Sequence, residues 1–112
     1  PHVNPLKVLE DVYAVIEDRK LHPKEGSYTN YLFEKGIDKI LKKVGEECAE
    51  TIIAAKNGRQ EETVGEISDL IYHLTVMMAQ QNIPLEAVLE ELDRRSHKIG
   101  NLKQFHVADH NT

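Results

Sequence analysis

A chain of 112 residues with 40% apolar side chains can bury a single core, and a thin one for a monomer. Aromatic residues make up 5% and tryptophan is absent, so the interior has to be filled by Leu, Ile, Val, Ala and Met, as in helical bundles. The formal net charge of -5 sets the chain against nonspecific nucleic-acid binding. No window is apolar for long enough to span a membrane, nothing at the start reads as a signal peptide, and one cysteine makes neither an internal disulfide nor a cysteine zinc site. The expectation is one cytoplasmic domain over residues 1–98, with 99–112 a loose tail, gaining core by pairing with a copy of itself.

Asn4-Pro5 reads as an N-cap followed by proline at the first helical position, and Leu6, Leu9, Val12, Tyr13 and Ile16 recur at helical spacing as far as Arg19 or Lys20. Pro23 and Gly26 mark the loop 21–26. Residues 27–34 are short and aromatic, a turn of helix or an ordered loop, with Tyr28 and Tyr31 read as core plugs ahead of stacking platforms.

A long helix is expected over 37–56, stopped by Asn57-Gly58. With successive residues about 100° apart, Ile37, Leu41, Val44, Cys48, Ile52 and Ala55 form one apolar stripe, which makes Cys48 a buried, inert thiol. Glu46 falls on the opposite side, whereas Glu47 and Glu50 flank the stripe with Lys43 between them. The next helix, 61–81, is apolar around much of its circumference through Val64, Ile67, Leu70, Ile71, Leu74, Val76, Met77 and Met78, and so is expected to be mostly buried. Along it Glu66, Asp69 and His73 nevertheless make one polar stripe. Asn82-Ile83-Pro84 ends this helix, and Pro84 opens a last one to about Arg95, basic at its end through Arg94, Arg95, His97 and Lys98. The spacing of His106 and His110 is one seen in metal sites, but in a terminal stretch without partners it carries little weight.

Residues three apart on a helix share a face, so two antiparallel helices can aim four carboxylates into one gap. A buried carboxylate without a partner costs several kcal/mol, so two on one apolar helix call for cations, and hard divalent ions bind through oxygen. Mg²⁺ held this way leaves positions for substrate phosphates, which makes hydrolysis of a phosphoanhydride the natural reaction. No glycine-rich phosphate loop and no Ser-His-Asp arrangement is apparent. His73 is placed either against a carboxylate or phosphate or as a hydrogen-bonded core histidine. Lys39, Lys43, Arg94 and Arg95 are candidate phosphate binders. The bland alternative is a solvated face, with Glu46 and Glu50 paired to nearby lysines.

Glu46-Glu47-x-x-Glu50, fifteen residues, then Glu66-x-x-Asp69 resembles the E-E-x-x-E and E-x-x-D pattern of the all-α nucleoside triphosphate pyrophosphatases, the MazG-like superfamily. Glu17-Asp18-Arg19-Lys20, Ser27-Tyr28-Thr29-Asn30-Tyr31-Leu32, Gly36 to Glu47, Ile53-Ala54-Ala55-Lys56 and Asp69 to Leu74 narrow the resemblance to its phosphoribosyl-ATP pyrophosphatase family, over about Leu6 to Arg95. The resemblance implies an all-α, four- to five-helix bundle completed by homodimerisation. It also implies Mg²⁺-dependent hydrolysis of phosphoribosyl-ATP to phosphoribosyl-AMP and pyrophosphate, the second step of L-histidine biosynthesis. Its catalytic metal ligands would be Glu47, Glu50, Glu66 and Asp69, with Glu46 assisting, while Lys39, Lys43, His73 and Arg95 serve the substrate. Two other functions fit the same residues: a housecleaning pyrophosphatase for (d)NTPs, and a non-catalytic helical dimer.

Overall fold

The computed structural model describes residues 4, 5 and 7–99, and of Lys98 and Ile99 the backbone alone. Five helices follow one another: α1 (Val8–Leu21), α2 (Tyr28–Lys35), α3 (Ile37–Lys56), α4 (Gln60–Gln80) and α5 (Leu85–Ile99), with no strand among the described residues. The architecture is the expected all-α bundle. The segment 100–112, with His106 and His110, lies outside the described residues.

Chain-stopping chemistry sets the order of the elements. Gly58, at φ 69°, takes the left-handed conformation, and the amides of Gly58 and Arg59 close on the carbonyls of Ala55 and Ala54 at 3.1 and 3.3 Å. That double closure turns α3 back on itself, and α4 runs along it. Asn82 repeats the device at the end of α4: its φ is 59°, its amide reaches Ala79 O at 3.2 Å and that of Ile83 reaches Met78 O at 2.9 Å. Lys20 of α1 completes this cap, donating to Ala79 O at 2.7 Å and to Asn82 Oδ1 at 3.0 Å.

Three boundaries differ from expectation. Asn4 and Pro5 form a turn, with the Lys7 amide on Asn4 O at 2.8 Å, and α1 starts only at Val8. Residues 28–35 are a full helix because the Ser27 hydroxyl caps the Asn30 amide. The last helix runs on to Ile99.

The core sits at one end of the bundle, where Tyr13 and Ile16 of α1, Leu32 of α2, Ile40 of α3, Val76, Met78 and Ala79 of α4 and Leu85 of α5 meet. Away from that end the apolar positions are uncovered. The stripe expected to be buried on α3 faces outward, with Leu41, Cys48, Ile52 and Ala55 all exposed, and the helix instead buries Ile40, Glu47 and Ala54. On α4 only the second half is enclosed, and Val64, Ile67 and Ile71 stand exposed. A wheel locates an apolar face but does not say whether the same chain or another covers it.

Candidate active site

The α3–α4 hairpin brings one carboxylate of α3 to two of α4. Oxygens of Glu47, Glu66 and Asp69 lie within 4.8 Å of one another. Glu47 is only 6% exposed, Glu66 is half-buried and Asp69 opens to solvent. Glu47 Oε1 and Glu66 Oε1 are shut off from solvent and accept no hydrogen bond. Burial first, then close contact with Glu66 and Glu50, then the charges of Glu50 and Asp69, push the Glu47 carboxyl up to about 7.

Lys43 is the cation nearest this group, 3.8 Å from Glu47 Oε2 and 3.2 Å from Glu46 Oε1. Its hydrogen bond to Glu46 raises its own affinity for a proton and holds the Glu46 carboxyl below the ordinary range. One ammonium shared with Glu46 does not compensate three converging carboxylates. Ionised carboxylates are acceptor-only groups, and two buried acceptors without donors fit a hard cation bound through oxygen. The residues present therefore suit a divalent metal, with Glu47, Glu66 and Asp69 as the ones that would hold it.

The other expected residues take varied places. Glu50 is exposed and outside the close trio, yet near enough to act on Glu47. Glu46 points to Lys43, as in the solvated-face reading of that one residue. Lys39 lies over the Tyr31 ring, 5.9 Å from its centroid. His73 is buried with both nitrogens engaged: Nδ1 donates to Asp69 O at 2.7 Å, and Nε2 shares a hydrogen bond with the Tyr28 hydroxyl at 3.0 Å. It braces the Asp69 turn as a hydrogen-bonded core histidine does. Arg95 pairs with Glu91 at 2.6 Å on its own helix, beside Arg94 on the same carboxylate. Cys48 is exposed, where a buried thiol was expected.

Tyr28 and Tyr31 are not core plugs, being 46% and 39% exposed. Tyr28, Tyr31 and Lys35 recur at helical spacing on one face of α2, while Leu32 takes the core position with no exposure at all. The sequence signal was that spacing, read together with Ser27 as a cap. Asn30 was missed altogether: its side chain donates to Arg19 O at 2.6 Å and accepts from the Lys24 amide at 2.7 Å, pinning the loop before α2.

The model of the phosphoribosyl-ATP pyrophosphohydrolase family matches residues 9–96. The chain belongs to this family. It is 58% identical over 98 residues to the phosphoribosyl-ATP pyrophosphatase of Clostridium acetobutylicum and 54% identical over 98 residues to that of Clostridium novyi, spanning 88% of this chain and 89% of each relative. It is also 67% identical over 85 residues to the histidine biosynthesis bifunctional protein HisIE of Thermoanaerobacter pseudethanolicus, covering 76% of this chain and 39% of that longer protein. The family's match takes in every residue of the acidic trio and of the aromatic face on α2.

Proposed function

We propose that this chain hydrolyses phosphoribosyl-ATP to phosphoribosyl-AMP and pyrophosphate, the second step of L-histidine biosynthesis, in the cytoplasm and with Mg²⁺ as cofactor. The observation that carries the reading is the pair of buried, unpartnered oxygens on Glu47 and Glu66, next to Asp69, in a chain of this family. Glu47, Glu66 and Asp69 would hold the ion, with Glu50 one helical turn from Glu47 as a fourth ligand and Glu46 as an auxiliary. When bound, the metal supplies charge neutralisation and polarisation of the phosphoanhydride. Lys43, 3.8 Å from Glu47 on the same face of α3, would meet a phosphate oxygen, with Lys39 one turn earlier as a second cation. His73 holds the Asp69 turn through its bond to Asp69 O and so positions a ligand rather than touching the phosphates.

The same reading gives the chain a second copy of itself as partner. Ile52, Ile53 and Val64 are 68%, 58% and 58% exposed, an apolar face unusual for a monomer. The Cα radius of gyration, 16.4 Å, exceeds the value of about 13 Å usual for a compact chain of this length. Among the described residues no helix is long and apolar enough to cross a membrane.

The test is release of pyrophosphate from phosphoribosyl-ATP by the purified chain with Mg²⁺, alongside a panel of ordinary and damaged nucleotides. Turnover of phosphoribosyl-ATP above the rest is expected. Preference for another nucleotide would move the chain to the housecleaning reading, and no turnover of any would leave a non-catalytic dimer. Sedimentation of the parent and of Ile52→Glu checks the pairing, with dimer expected for the first and monomer for the second.

A further inference from the structure

We infer that Tyr28 and Tyr31 form a stacking shelf for the purine ring of the substrate, an inference that rests on the nucleotide-pyrophosphatase reading above. The two rings lie 6.0 Å apart between centroids and 24° from parallel, and Tyr72 continues the row 6.2 Å from Tyr28 at 27°. Rings that serve only as filling are enclosed, as Tyr13 is at 6% exposure, whereas Tyr28 and Tyr31 keep a large part of their surface open. Both border a cavity of about 670 Å³ on the side of the loop before α2, whose other walls are residues 23–27, Asn30 and Glu34, so the rings have open space beside them.

The shelf is held rigid and joined to the acidic group. The Tyr28 hydroxyl bonds His73 Nε2 at 3.0 Å, and His73 in turn bonds the carbonyl of Asp69. Tyr72 is fixed through its hydroxyl by Thr29. His73 stands one helical turn beyond Asp69 on α4, so its bond to Tyr28 sets the inner end of the shelf beside the α4 side of the acidic group. A planar base on these rings extends its polyphosphate toward Lys43 and the three carboxylates. The Lys35 and Lys39 ammonium groups stand over the Tyr31 ring, 5.8 and 5.9 Å from its centroid, and a base taking that face would displace them toward a second anionic arm it carries. Stacking needs no base-specific donors, so the shelf supplies affinity for the ring, and the cations beside it set which phosphates follow.

The experiment compares the full chain with Tyr31→Leu and Tyr31→Phe, in Mg²⁺, on phosphoribosyl-ATP, with tripolyphosphate as a competitor that has a phosphate chain and no base. Tyr31→Leu is expected to raise KM roughly tenfold with kcat changed by less than about threefold, and Tyr31→Phe, which keeps a ring, to recover most of the affinity. Inhibition by tripolyphosphate is expected to stay the same in all three. An unchanged KM in Tyr31→Leu overturns the shelf, and so does a loss of tripolyphosphate inhibition in step with the loss of substrate affinity. Should Tyr31→Leu fail to fold, as read by circular dichroism, Tyr31→Gln takes its place. If the parent does not turn over phosphoribosyl-ATP at all, the substrate reading falls, and the shelf is decided by ATP binding. With no tryptophan in the chain, quenching of tyrosine emission by ATP in the parent and its loss in Tyr31→Leu support the shelf, and absence of quenching in the parent overturns it.

Discussion

The two ends of this bundle treat polar groups in opposite ways. At the core end they are paired. Tyr13 donates to Ile83 O at 2.6 Å, Thr75 to Tyr72 O at 2.6 Å, and Asn30 uses both ends of its amide on backbone groups. At the other end Glu47 Oε1 and Glu66 Oε1 are buried without a donor, and isoleucines of α3 and α4 lie uncovered. Polar groups that fix a fold find their partners inside the chain, because an unmet one costs about 1–3 kcal/mol. Groups left unmet beside an apolar face fit partners from outside the chain, which is where the proposed cation and second copy would go. The paired end, by contrast, needs nothing beyond the chain itself.

The strongest way to break that comparison is to neutralise the acids. Glu66→Gln and Asp69→Asn are each expected to lower kcat on the order of 10³-fold, about 4 kcal/mol of transition-state stabilisation. The same variants, with chelator present, are expected to melt at or above the temperature of the parent, since each removes one charge from a mutually repelling group. Steady-state kinetics and thermal unfolding of the same preparations check both halves. Lower stability with intact turnover would mean that these carboxylates are structural after all.

The helices and the acidic spacings were legible in the sequence, whereas the division into a covered and an uncovered end was not, for physical reasons. The α3 boundaries, Ile37 to Lys56, were readable because Gly36 and Asn57-Gly58 punctuate them chemically. A rotation of 100° per residue sets Glu47 and Glu50 apart from Glu46, and of that pair only Glu47 is buried, Glu50 being exposed, because the apolar stripe from which the wheel was measured faces outward. Cys48 and Ile52 were misplaced because a wheel sees the amphipathicity of one helix and not what lies opposite it. Asn4-Pro5 read as a cap, but the helix begins later, where the Asp11 amide first closes on Lys7 O at 3.0 Å. Asn30 and the Tyr28–His73 bond join residues distant in sequence or bridge helix to loop, and periodicity carries no signal for either. The acidic trio was readable because its parts are local spacings on two helices joined by a recognisable turn.

A smaller effect sharpens the same contrast through pH. Glu47 titrates in the folded chain at about 7 against an ordinary 4.5, so folding favours its protonated form. Its contribution to stability is therefore fully present below 4.5 and lost as pH rises through 7. Metal-free protein is expected to lose stability across that window, on the order of 2 kcal/mol, and Glu47→Gln to flatten the profile. Saturating Mg²⁺ is expected to reverse the slope, because a bound cation favours the ionised carboxylate and its uptake releases protons. Thermal melts at a series of pH values, with chelator and with Mg²⁺, read the sign directly. A slope that is the same in the two series would place the titrating group away from the ion.

The least disruptive change tests the paired end. Lys20 anchors the C-terminus of α4 through two hydrogen bonds, to Ala79 O and Asn82 Oδ1, and touches none of the residues assigned to the site. Lys20→Met keeps the aliphatic stem and removes the donors, leaving a helix-end carbonyl and the left-handed Asn82 without their clamp. Backbone bonds already reach Ala79 O from the Asn82 amide at 3.2 Å, so the loss is partial, about 1 kcal/mol or roughly 5 °C in Tm. Because α4 carries the core on its second half and Glu66 and Asp69 on its first, this variant also asks whether loosening one end reaches the other. Turnover and Mg²⁺ affinity measured well below Tm are expected to match the parent, since the α3–α4 turn at Gly58 positions the acids independently of the Asn82 cap. A fall in kcat without unfolding would show that the two ends are mechanically coupled through α4.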